Sequence, residues 1–309
     1  MLVLLFPGQG SQRPGMGVAW REHPSWEMVG RLSEATGRDL AHLLIGADAG
    51  TLRATRNAQL ATFALSLVAL DAVWGSSLGD LLASSIGAVA GHSLGEYAAL
   101  AATEAIGAEE GAALVKARGD AMQAASEANP GTMAAVLGLD LSGVAAACEA
   151  AGEAWVANDN TPGQVVIAGA LAGVERAGKE ATARGAKRVV PLQVGGAFHT
   201  PLMAAAQAPL DSAIGRASFR SPRWPLVANF DAQPHHDGFG RLLSSQLCSR
   251  VLWRSSLLAL SGMGARLFVE LGPGTELSGM VKRTLPTAGR ANVASPVDIE
   301  SLRPLLAAL

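Results

Sequence analysis

Residues 91–95 read Gly91-His92-Ser93-Leu94-Gly95, a G-x-S-x-G pattern, and no other stretch of the chain limits its fold as tightly. The residues before it, Ile86-Gly87-Ala88-Val89-Ala90, are short and apolar, as a buried strand would be. Those after it, Glu96-Tyr97-Ala98-Ala99-Leu100-Ala101-Ala102, are rich in helix formers. A strand that becomes a helix across a Gly-bounded turn belongs to an α/β architecture. Glycine on either side lets the backbone take a strained turn and lets neighbouring segments approach closely. Ser93 would then present its hydroxyl at the amino end of a helix, where free N–H groups and the dipole favour a developing negative charge. In a chain with 36 glycines the competing reading is a chance Gly-Ser turn. The flanking strand and helix favour the nucleophile.

Composition narrows the setting. With 49% hydrophobic and 16% charged residues in 309, a large buried core is expected and disorder is not. A net charge of −2 supplies no basic field, which argues against nucleic acid as a partner. Cys148 and Cys248 stand far apart in no ligand-like spacing, so they read as plain thiols in a reducing compartment, and no metal site is expected. The apolar start, Met1 to Phe6, is too short for a targeting segment, and no uncharged apolar run reaches the roughly eighteen residues of a membrane span. A cytoplasmic protein that engages no membrane is the expectation.

Short apolar runs alternate with Ala/Leu-rich stretches, the pattern of strands alternating with helices. Strands are expected at 2–6, 88–90 and 266–271, and helices at 57–73, 109–125 and from about 275 through 283. The middle differs: strand character at 132–137, around 155–157, at 164–168 and at 189–192 frames helices at 142–151 and 170–184. That order suits a small ferredoxin-like unit at 126–195, forming one wall of a cleft over Ser93. Residues 1–125 and 196–309 would then make an α/β-hydrolase-like catalytic unit built on a parallel sheet.

A serine hydroxyl needs a base, and six histidines are available. His92 adjoins Ser93, but neighbours on a tight turn point apart. His23, His42 and the pair His235-His236 lie in stretches that read as surface, core filler or a solvated loop. His199 sits in a loop between a strand and a helix, where α/β folds place reactive groups, and stays open as the base. Phe6-Pro7-Gly8-Gln9-Gly10-Ser11-Gln12 fits neither G-x-G-x-x-G, since Arg13 stands at the third glycine, nor a phosphate loop, since Met16 follows Gly15. An oxyanion donor at Gln9, a contribution of about 3–4 kcal/mol in the transition state, is the alternative. Arg118 lies in a mostly apolar helix and reads either as a surface residue or as a clamp for a carboxylate.

Together these pieces resemble the malonyl-CoA:acyl-carrier-protein transacylases and the related acyltransferase domains of polyketide synthases. The similarity runs over nearly the whole chain. It rests on residues 7–12 and 91–97, Arg118-Gly119 with Met122-Gln123, residues 162–169, Ala197-Phe198-His199, and Glu270-Leu271-Gly272-Pro273-Gly274. The resemblance implies Ser93 as nucleophile and His199 as its base, with Gln9 and the Leu94 N–H as oxyanion hole. It also implies Arg118 as the holder of the malonyl carboxylate and the backbone carbonyl of Gln246 as the group that orients His199. Where the family often carries Asn-Pro soon after that glutamine, this chain has Ser249-Arg250. Phe198 and Leu94 match the family's malonyl-selective pattern.

The implied reaction moves malonyl from malonyl-CoA through an acyl-serine to the phosphopantetheine thiol of an acyl carrier protein, for fatty-acid or polyketide synthesis. No permanently bound cofactor is expected, and a monomer is. The competing readings are a serine thioesterase or acyl hydrolase, the transacylase subunit of a malonate decarboxylase, and a non-enzymatic docking subunit. Lys187-Arg188 and Lys282-Arg283 are candidate patches for an acidic carrier partner.

Overall fold

Leu2–Phe6 is unbroken apolar sequence, and in the computed structural model, which describes residues 1–309, it forms strand β1 with every residue buried. Leu2, Leu4 and Phe6 join the larger core on one side of the sheet, and Val3 and Leu5 join a smaller core on the other. A strand covered on both faces has no solvent side to make polar, so its sequence does not alternate. The remaining strands are β2 (Ile86–Gly91), β3 (Thr132–Leu137), β4 (Ala154–Thr161), β5 (Gln164–Gly169), β6 (Arg188–Pro191), β7 (Leu226–Val227), β8 (Pro234–His235), β9 (Leu267–Leu271) and β10 (Gly289–Val293).

Six of them form one sheet in the order β10-β9-β1-β2-β7-β8. All its pairings are parallel except the last, where β8 folds back antiparallel on β7. Strands β1 and β2 are neighbours, with Phe6 opposite Gly91, so the turns that follow them emerge side by side. The other four strands make a separate antiparallel sheet, β4-β5-β3-β6, backed by the helices Leu141–Ala151 and Leu171–Ala183 and closing on its own small core. The protein is thus α/β, with a mostly parallel sheet and a second, antiparallel one.

Expected and observed elements differ mainly at their ends. The helix expected at 57–73 is Thr55–Trp74, and the one at 109–125 is Ala108–Ala128. Thr55–Trp74 has the length and a mean hydropathy of 1.2 that would let it cross a membrane, but 83% of that stretch is buried inside the protein. It packs on the helices Gly95–Ala102 and Ala108–Ala128, which makes it a core helix. Strand β4 outruns its expected extent and ties the antiparallel sheet to the segment that leads into the helix Trp253–Gly262. Asp159 N–H donates to the Val251 carbonyl at 2.9 Å, Val251 N–H returns to Ala157 at 2.8 Å, and Arg254 pairs with Asp159 at 3.1 Å.

The turn after β2 shows what its glycines do. Neither Gly91 nor Gly95 has a positive φ; the left-handed residue is Ser93 itself, at φ 52°. The glycines serve close approach instead. A Cβ on Gly91 would strike the backbone of Gly95, and one on Gly95 would strike the carbonyls of Phe6 and Pro7 at the end of β1. Of the two uses expected of these glycines, conformational freedom is corrected and close approach is found: the strain sits on the serine, and the glycines make room for neighbouring backbone. We expect Gly95→Ala to cost about 3 kcal/mol or more, because backbone carbonyls cannot step aside. Gly30→Ala, on an exposed helical position with open space around it, should instead stabilise by about 0.5–1 kcal/mol. Urea unfolding of the two variants measures both, and a neutral Gly95→Ala would refute this account of the turn.

Candidate active site

Ser93 and His199 come from elements far apart in sequence and meet at the open end of β2. Ser93 Oγ lies 2.7 Å from His199 Nε2. His199 is also left-handed, at φ 61°, in the loop between β6 and the short helix Pro201–Ala206. Thr200 pins that loop by donating to the Ala197 carbonyl at 2.6 Å. On its other side, His199 Nδ1 is 3.1 Å from the carbonyl of Gln246, the last residue of the helix Phe239–Gln246. A carbonyl only accepts, so Nδ1 carries the proton and Nε2 faces the serine bare. The same carbonyl belongs to a helix C-terminus, whose negative end would favour an imidazolium on His199. Ser249-Arg250, where the sequence departs from its relatives' pattern, leaves this contact intact. Burial first, and then the nearby Arg118 charge, push His199 down to about 3, so it rests neutral.

Arg118 is not at the surface. It is 1% exposed, and its Nη2 donates to Ser93 Oγ and to Gln246 Oε1, both at 3.1 Å. Its guanidinium lies 5.3 Å from the centre of the Tyr97 ring. No carboxylate forms an ion pair with it, and its Nε is buried without a partner. The surface reading, in which Arg118 neighbours Asp120, fails because Asp120 pairs with Arg38 at 2.9 Å and Lys116 at 3.8 Å. A buried cation held only by neutral acceptors is a ready site for an anionic group.

The Leu94 N–H makes no hydrogen bond within the chain, and it stands at the start of the helix Gly95–Ala102, beside Ser93. The N–H of Ser93 itself is taken by Asn229 Oδ1 at 2.6 Å. Gln9, in the turn after β1, lines the same small chamber of about 80 Å³ as Ser93, Arg118, Phe198 and His199. Met133, Asn158 and Leu192, from or beside the antiparallel sheet, close it over. A wider cleft of about 440 Å³, floored by the turn after β1, shares Gln9, His92 and Asn158 with the chamber and leads into it. His92 is, as expected, no base for Ser93: its Nε2 is 2.9 Å from Asn160 Oδ1 and its ring meets Trp253 edge-on. His235 pairs with Asp231, and His23 caps a short helix through Ser25 N–H.

The chain matches the acyl transferase domain family over residues 3–302. It is 38% identical over 301 residues to the malonyl CoA-acyl carrier protein transacylase of Escherichia coli K12, covering 95% of this chain and 96% of that protein. This chain belongs to the acyl transferase domain family. Its fold matches the crystal structure of a malonyl-CoA:acyl carrier protein transacylase from Xanthomonas oryzae with a TM-score of 0.91, at 37% identity and 98% coverage of both chains. A malonyl-transacylase in complex with its type II polyketide-synthase acyl-carrier protein matches with a TM-score of 0.90 at 32% identity, covering 97% of this chain and 98% of that one.

In this acyl transferase, three side chains at the site had no distinctive signal in the sequence. Glu96 looks like an ordinary acid in the first turn of a helix, yet it is fully buried. Asn229 and the side chain of Gln246 are buried beside it. Burial pushes Glu96 up to about 7, against hydrogen bonds from Asn229 and Gln246 that pull it down. Because its ordinary value is 4.5, the fold binds more protons than the unfolded chain between 4.5 and about 7, and stability falls as pH rises through that window. His199 acts oppositely, costing stability as pH falls from 6.5 towards 3. Glu96→Gln cannot ionise. We expect its stability relative to the parent protein to rise by up to about 3 kcal/mol between about pH 4.5 and about pH 8. Urea unfolding at both pH values checks this; a difference independent of pH would contradict it.

Proposed function

We propose that this chain transfers a malonyl group from malonyl-CoA, through an ester on Ser93, to the phosphopantetheine thiol of an acyl carrier protein. The observation that carries this reading is Arg118: a buried guanidinium 3.1 Å from the Ser93 hydroxyl with no acid of its own. An acyl group with a free carboxylate supplies what that cation lacks. The E. coli relative bears the name of this activity, and the complex with a carrier protein is of a structurally similar malonyl-transacylase.

The steps follow from the geometry. His199 Nε2 takes the proton of Ser93 Oγ as the oxygen attacks the thioester carbon. The carbonyl oxygen becomes an oxyanion, received by the free Leu94 N–H and by Gln9. As the intermediate collapses, the C–S bond breaks and the CoA sulfur leaves with the proton from His199. In the second half, the carrier thiol gives its proton to His199 and attacks the malonyl ester, and Ser93 departs with that proton. The Gln246 carbonyl holds the imidazole throughout, so no third acid is needed. The transfer draws only on the chain and its two substrates, and requires no resident cofactor. Phe198 fills space that a branched acyl group needs, a preference for malonyl over methylmalonyl of about 1–3 kcal/mol.

The mostly parallel sheet with Ser93 at its turn supports an α/β-hydrolase-like unit of residues 1–125 and 196–309. The interleaved order β4-β5-β3-β6 supports a ferredoxin-like unit at 126–195. The same reading takes the chain to act as a monomer in the cytoplasm, in fatty-acid or polyketide synthesis.

Intact-protein mass spectrometry tests the reading. Malonyl-CoA should leave a malonyl adduct on the parent protein that is lost to added holo carrier protein, and Ser93→Ala should take up none. Arg118→Ala should lower kcat/KM for malonyl-CoA about 100-fold or more while sparing acetyl-CoA. An adduct on Ser93→Ala, or an Arg118→Ala protein that treats the two thioesters as the parent does, would overturn it.

A further inference from the structure

We propose that Glu96 is a positioning residue for this reaction: its buried carboxyl fixes the orientation of the Gln246 amide and, through it, the aim of Arg118. The inference rests on the reading of Arg118 as the holder of the malonyl carboxylate. The two ends of an amide have nearly the same shape and opposite hydrogen-bonding character. With its oxygen towards Arg118, Gln246 accepts from the guanidinium; with its nitrogen there, two donors would collide. Gln246 Nε2 is instead engaged on the far side, donating to Glu96 Oε2 and to the Ser93 carbonyl, both at 3.0 Å. That leaves Oε1 for Arg118 at 3.1 Å. The Ser93 carbonyl alone is a single acceptor; Glu96 makes the choice of amide face decisive.

The same carboxyl oxygen holds the elbow. Glu96 Oε2 accepts the Asn229 N–H at 2.9 Å. The Asn229 side chain then spans the turn, accepting the Ser93 N–H at 2.6 Å and donating to the Gly91 carbonyl at 2.7 Å. One oxygen thus joins the loop after β7 and the end of the helix Phe239–Gln246 to the residue that follows the nucleophile by three. No salt bridge offsets the burial of Glu96, and its Oε1 is buried without a partner. A side chain so placed costs stability. What it supplies is the orientation of Gln246 and Asn229.

Rates of Ser93 acylation by malonyl-CoA and acetyl-CoA, measured by rapid quench on the full chain, test this with three variants. Glu96→Leu removes the acceptor, and Gln246→Met removes the side-chain links while keeping the main-chain carbonyl for His199. Glu96→Gln keeps an oxygen that can accept from both donors. Glu96→Leu and Gln246→Met should each reduce the malonyl-to-acetyl preference about tenfold, and Glu96→Gln should stay within about threefold of the parent. A loss of folding lowers both rates together and cannot change their ratio. If Glu96→Leu does not fold, Gln246→Met and Glu96→Gln decide. Retention of the full preference in Gln246→Met, or its loss in Glu96→Gln, would overturn the inference. A parent protein with no malonyl preference would instead defeat the reading of Arg118.

Discussion

The interaction on which the rest of the structure depends is the burial of the Arg118 charge. Removing a guanidinium from water costs several kcal/mol unless its donors are met. Here only Nη2 is met, by a serine hydroxyl and an amide oxygen, with the face of Tyr97 beside the guanidinium, while Nε is buried without a partner. Such a cation is held in place with no ion-pair partner, its charge supported only from a distance by Glu96 and by the Tyr97 ring. The long core helix Thr55–Trp74 supports the helix that carries it, and the antiparallel sheet supplies Met133 to the chamber wall. Around a buried cation the attraction for a carboxylate is stronger than at a surface. Arg118 is also one cause of the low proton affinity of His199. On the proposed reading, a bound malonyl carboxylate offsets that charge and makes His199 a stronger base only when substrate is in place.

The second constraint is strain. Ser93 and His199 are both in the left-handed region, and hydrogen bonds from their neighbours hold both turns. Asn229 spans the elbow of Ser93, and Thr200 closes the loop of His199. His199 is oriented by a main-chain carbonyl at a helix end, so on the proposed reading the serine–histidine pair works without an acidic third member. Gln246 contributes that carbonyl and, through its amide, the link from Glu96 to Arg118. One residue therefore touches both His199 and Arg118, which on the proposed reading couples proton transfer to carboxylate binding.

Much of this was legible because the informative residues carry unusual local patterns. β1 announces itself as an apolar run, and the Ser93 turn as two glycines around a serine between a strand and a helix. His199 and Arg118 were visible as candidates, but their roles came only from resemblance, since a loop histidine and a helical arginine each have ordinary uses. What stayed hidden is set by tertiary contact. Glu96 has the sequence appearance of a helix-capping acid and is buried only because its helix is wrapped on every side. Asn229 follows a strand of two residues, too short for any periodicity, and its value lies in bridging a turn distant in sequence. The glycines of the elbow were recognised, yet their function, room for a passing strand end, depends on β1 lying beside β2.

On the proposed reading, a buried guanidinium with no ion-pair partner, beside Ser93, selects a carboxylate-bearing acyl group. The most direct test is calorimetric binding of malonyl-CoA and acetyl-CoA to the Ser93→Ala protein, in which no acyl transfer can follow. The account predicts that malonyl-CoA binds about tenfold more tightly or better, and that the advantage disappears when Arg118→Ala is added. Equal affinity for the two thioesters in the Ser93→Ala protein would contradict it.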